Sequence, residues 1–125
     1  MLTLSTTSLT GTTVRNTTGE TLGDIKDFML DVDNGRVLYA VLDFGGFLGI
    51  GDKYFAVPLE AFRPDTQSEM LVLDVDKARL ENAPGFDKNN WPVTPNDSFV
   101  ENVYDFYGQR EAWTRATQTR QPILN

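Results

Sequence analysis

The chain has 125 residues, 40% of them hydrophobic and 23% charged, with a formal net charge of −7 and neither cysteine nor histidine. A chain of this size forms one domain and buries roughly two thirds of its unfolded surface. The missing residue types exclude disulfides, thiolate nucleophiles, serine–histidine triads and every metal site built on Cys or His, and the negative charge argues against nucleic acid, whose binding rests on Lys and Arg.

No apolar run reaches the ~18 residues of a membrane span, and no basic-then-apolar leader opens the chain. The expectation is a cytoplasmic protein without membrane insertion, so the Asn-x-Ser/Thr matches at Asn16 and Asn96 are idle. The charge is uneven. From Gln109 onward Arg110, Arg115 and Arg120 face one acid, Glu111, for a net +2, which leaves −9 on the preceding body. Such a tail can touch an acidic surface, although three solvated arginines are the simpler reading.

In chain order, residues 1–9 are Thr/Ser-rich and read as an irregular arm that Leu2, Leu4 and Leu9 can pin to the body. Gly11 to Asn16 reads as a short strand, ended by the turn Thr17-Thr18-Gly19-Glu20. Leu22 to Leu30 is a second strand, in which Ile25 and Phe28 cannot share a face of a regular pleat, so a bulge near Lys26-Asp27 is expected. Asn34-Gly35 then signals a hairpin. Arg36 to Phe44 is the third strand and is apolar on both faces, with Val37, Tyr39 and Val41 on one and Leu38, Ala40, Leu42 and Phe44 on the other. A strand with one solvated face alternates, so this one needs a cover.

Gly45 to Gly51 is a glycine-rich loop carrying Phe47, Leu48 and Ile50, and it leads to a fourth strand, Tyr54 to Pro58. Leu59 to Phe62 is a turn before Pro64, and Met70 to Val75 is a fifth strand with Leu71, Leu73 and Val75 inward. Asp76 caps a helical turn through Glu81, ended by Pro84-Gly85. Residues 85–95 read as a loop anchored by Phe86 and Trp91. Ser98-Phe99-Val100-Glu101 fits a capping box, and Val100, Val103, Tyr104 and Tyr107 form the apolar stripe of a helix. That helix or a partner subunit is the expected cover of the third strand. Residues 112–125 are expected to fray.

Imitations of reactive sites are weak. The glycine loop matches no phosphate-binding pattern and joins strand to strand. Asp31-Val32-Asp33-Asn34-Gly35 resembles the start of a calcium loop, but its twelfth position is Leu42. The pairs Asp24/Asp27, Asp31/Asp33 and Asp74/Asp76 lie near turns, where capping is the plainer role, and Asp27 at the bulge is expected to be satisfied by backbone.

The segments Leu9-Thr10-Gly11, Val14, Gly19 to Asp27, Gly35 to Val41 and above all Phe44 to Pro58 together resemble the PRC-barrel domain. That small β barrel is shared by the cytoplasmic part of the photosynthetic reaction-centre H subunit and by the C-terminal domain of a ribosome-maturation factor. Ala83-Pro84-Gly85-Phe86 followed by Trp91-Pro92 is similar to free-standing bacterial members, and Tyr107-Gly108 with Trp113 resembles their short tail. The resemblance implies an all-β fold, a PRC-type barrel of five to six strands with a short C-terminal α-helix. It divides the chain into an arm (1–10), a barrel (11–95) and a helix with tail (96–125).

Better-known members act as adaptor or assembly domains. The implied function is therefore a non-enzymatic protein-interaction domain with no cofactor and no metal, and the apolar second face of the third strand with the Phe47-Leu48-Ile50 loop motivates self-association as a homodimer. Phe47, Leu48, Ile50, Leu38, Leu42, Tyr104 and Tyr107 are the candidate interaction residues. The alternatives are a small-ligand binder or carboxylate-only enzyme with a pocket between barrel and helix, and a ribosome- or RNA-associated adaptor, which the acidic body disfavours.

Overall fold

The computed structural model describes residues 1–44, 53–92 and 97–117. Among the described residues there are seven strands: β1 (Thr13–Arg15), β2 (Thr21–Asp31), β3 (Arg36–Asp43), β4 (Lys53–Val57), β5 (Phe62–Asp65), β6 (Met70–Leu73) and β7 (Gly85–Asp87). They form one sheet in the order β5-β6-β1-β2-β3-β4-β7, antiparallel throughout except where β1 meets β6. β5 and β7 are its two edges, so the ring is open. Among the same residues four α-helices join them, α1 (Thr6–Leu9), α2 (Lys77–Glu81), α3 (Asp97–Phe106) and α4 (Arg110–Thr117), with a 3-10 turn at Leu59–Ala61. The sheet wraps a core that unites Val14, Leu22, Ile25, Leu42, Phe55 and Leu73 with Leu80 of α2.

The hairpin β2–β3 is the longest pairing, and it is bulged on both strands. Ile25 opposes Leu42 while Asp27 opposes Val41, so Lys26 is the extra residue that lets Ile25 and Phe28 both enter the core. Met29 opposes Tyr39 while Leu30 opposes Val37, which leaves Leu38 as a second extra residue. This second bulge corrects the expected alternation of β3. Val37 packs with the barrel core, whereas Leu38 joins Tyr39 and Val41 on the outer face.

Local signals hold where side chains meet backbone. The Asp76 side chain caps α2 by accepting from Arg79 N at 2.7 Å, and Asp27 Oδ1 accepts from Phe28 N at 2.8 Å. Buried Asn16 organises the β1–β2 turn, its Oδ1 accepting from the backbone N–H of Thr18 and Glu20.

Two strands escape the sequence pattern. β5 contains Pro64, tolerable because an edge strand leaves one side of its ladder unpaired. β7 is three residues long and starts at a glycine, where a Cβ would lie 2.3 Å from the carbonyl oxygen of Tyr54. The arm forms a turn of helix capped by Ser5, and residues 110–117 are helical rather than frayed. Ser98 lies inside the first turn of α3 instead of capping it. The glycine loop falls outside the described residues.

Gly23 has φ +144, and a Cβ there would approach the Asp43 carbonyl oxygen to 2.1 Å. Gly23→Ala must shift β2 against β3 and is expected to cost about 3 kcal/mol in chemical denaturation. Gly19→Ala, at φ +90 but with open space around it, is expected to cost about 1 kcal/mol.

Candidate interaction surface

The outer face of β3 and β4 presents Tyr39, Val41, Tyr54 and Ala56, and Val100, Val103 and Tyr104 of α3 bury it together with Ala112 of α4. The helix is placed by identifiable contacts. Tyr104 OH donates to the carbonyl of bulged Leu38 at 2.6 Å, and the Phe99 ring meets the edge of Tyr39 at 6.0 Å. At its C-terminus Gly108, in the left-handed region at φ 68, donates to Asp105 O and Gln109 donates to Tyr104 O, a Schellman motif that reverses the chain into α4. α4 then brings the Trp113 ring beside Tyr104 at 5.7 Å and under the Arg36 guanidinium at 5.9 Å. Of the two covers expected for the third strand, the chain supplies its own helix.

This placement decides what the candidate interaction residues do. Leu42 is 0% exposed in the barrel core and Tyr104 is 2% exposed on the inward face of α3, so both are consumed by internal packing. Leu38 is half-buried and is held by Tyr104 through its carbonyl. Tyr107 lies beyond the end of α3, half-buried with Phe106 against the barrel core rather than on the stripe of Val100 and Val103. Burial raises its hydroxyl pKa, and that hydroxyl has no hydrogen-bond partner. Phe47, Leu48 and Ile50 lie outside the described residues.

An open apolar surface lies elsewhere. Leu2, Leu4 and Leu9 of the arm, with Leu59, Phe62, Pro64 and Leu71 beside edge strand β5, line a groove of about 240 Å³. Leu2, Leu4 and Leu59 are 57%, 49% and 37% exposed. The leucine spacing of the arm was visible in the sequence, but its meeting with β5 was not, because β5 itself was hidden. Among the described residues, no group of three or more acids is placed to hold a metal, and no helix is long and apolar enough to cross a membrane.

Of the closely spaced acids, Asp31 serves the β2–β3 turn and Asp76 caps α2. Hydrogen bonds from the Asn34 side chain, aided by Arg36, hold the Asp31 carboxyl below its usual pKa. Those from Ser68 do the same for Asp65, which also pairs with Arg15 at 2.7 Å.

Burial pushes the Tyr39 and Tyr104 hydroxyls up to about 12 from the ordinary 10. A raised folded-state pKa contributes stability that is intact below the unfolded value and lost as pH rises through the folded one. The melting temperature should therefore fall between pH 10 and about 12. Tyr104→Phe, which strands the Leu38 carbonyl, is expected to cost about 1–2 kcal/mol near neutral pH and to lessen the alkaline loss.

No curated protein matches the chain. The family model of the PRC-barrel domain matches residues 1–80, which carry β1 to β6 and both bulges. By that match and the sheet that bears it out, the chain belongs to the PRC-barrel domain family.

Proposed function

We propose that the chain is a non-enzymatic protein-interaction domain that associates with a second copy of itself through the groove between the arm and β5. The observation that carries this reading is a groove lined wholly by apolar side chains, with Leu2, Leu4 and Leu59 substantially exposed. Exposed apolar clusters of this kind mark interfaces. An uncharged contact also suits a body that carries excess negative charge, since no carboxylates need to be brought together. The contact is self-complementary, because the arm of one copy offers leucines to a groove that takes leucines, as a two-fold interface requires. The outer face of β3 no longer motivates association, being covered by α3.

Sedimentation at increasing concentration tests the proposal. The wild-type protein is expected to dimerise, and Leu4→Asp to weaken the dimer at least about tenfold without loss of cooperative melting. Phe47→Asp reports whether the glycine loop shares in the contact, in which case it too weakens assembly with the barrel still folded. A strict monomer at high concentration would overturn self-association, and a dimer untouched by Leu4→Asp would overturn the groove as its contact. A monomer that takes up a small apolar molecule in the groove would support the ligand-binding alternative.

A further inference from the structure

Asn34 is the only asparagine in the chain followed by glycine, and this dipeptide closes the turn of the β2–β3 hairpin. Glycine offers its backbone nitrogen without a side chain to hinder it. That nitrogen can attack the preceding side-chain amide. We propose that Asn34–Gly35 is a self-modification site, deamidating with water as co-reactant, and that Asp31 sets its rate.

The step is a closed exchange of bonds. The Gly35 nitrogen loses its proton and bonds to Asn34 Cγ, the Cγ–Nδ2 bond breaks, and Nδ2 leaves as ammonia. Water then opens the resulting cyclic imide at either carbonyl, giving aspartate or isoaspartate, and nothing is oxidised or reduced.

Three contacts to one residue oppose it. Gly35 N–H donates to the Asp31 main-chain carbonyl at 2.8 Å. Asn34 Nδ2 donates to Asp31 Oδ2 at 2.8 Å, and Asn34 N donates to Asp31 Oδ1 at 3.1 Å. The nucleophile must surrender a hydrogen bond, and the side chain must rotate off the carboxylate, before the two atoms meet. Asp31 also accepts from Arg36 Nε at 3.0 Å. Held ionised by these donors, it cannot protonate the leaving nitrogen, and it repels the negative charge that builds on the Asn34 side-chain oxygen.

The products do not fit this turn. Aspartate places a second carboxylate where Nδ2 now sits 2.8 Å from Asp31 Oδ2. Isoaspartate inserts an extra main-chain atom between β2 and β3, whose register is set by the opposition of Asp31 and Arg36. Asp31 therefore guards the central hairpin against its own sequence.

Mass spectrometry of the peptide spanning residues 34 and 35, sampled during storage of the full chain, tests this. The native wild-type protein is expected to deamidate at least about tenfold more slowly than the same chain in guanidinium chloride, the factor that two side-chain hydrogen bonds supply. Asp31→Ala, if cooperatively folded, is expected to move the native rate most of the way to the unfolded one. Should it not fold, Asp31→Asn, which keeps the shape but removes the charge and one acceptor, is measured under the same criterion. A native rate equal to the unfolded rate, or a folded Asp31 variant as slow as wild type, would overturn the proposal.

Discussion

Both faces of β3 are apolar, and the surrounding structure follows from the need to keep each of them dry. Its inner face supplies Ala40 and Leu42 to the barrel core, and its outer face supplies Tyr39 and Val41 to a second cluster. Burying a large apolar side chain contributes about 1.5–3 kcal/mol, so leaving either set in water would forfeit several such contributions. A single sheet can cover one face by curling around it. The other requires a further layer, which α3 and α4 provide.

The bulges reconcile curling with layering. Lys26 bulges from β2 and turns Phe28 into the core, and Leu38 bulges from β3 and turns itself outward. A bulge disturbs the ladder and leaves backbone groups in need of partners. Tyr104 answers that need at Leu38, donating its hydroxyl to the carbonyl while its ring packs on Trp113. One tyrosine thus ties the irregular point of the sheet to the helical layer. The same tyrosine is among the groups whose burial raises their pKa, so its ionisation in alkali is expected to oppose folding.

Much of this was legible in the residues, and the misses have physical causes. The spacing of Ile25 and Phe28 demanded a bulge because one apolar residue would otherwise have faced water. The run Val37-Leu38-Tyr39-Ala40 offered no such contradiction, since every residue in it is apolar, so the bulge at Leu38 left no trace. Pro64 disguised β5, because a proline rules out a central strand but not an edge one. β7 is held by Gly85 fitting against the Tyr54 carbonyl, a close approach that local sequence does not encode. The candidate interaction residues lie in the most apolar stretches. Apolar character marks cores as readily as surfaces, and Leu42 and Tyr104 are core. The arm groove was missed because it joins residues 2–9 to residues 59–71, a long-range meeting that depends on β5.

The chain covers β3 with its own α3. Nuclear Overhauser contacts measured on a mixture of differently isotope-labelled copies test it most directly. Contacts between the Phe99 and Tyr39 rings, and between the Tyr104 ring and Leu38, are expected to arise within single copies and to be unchanged on dilution. Contacts seen only between differently labelled copies, or a folded barrel without them, would contradict it and assign the cover of β3 to a partner.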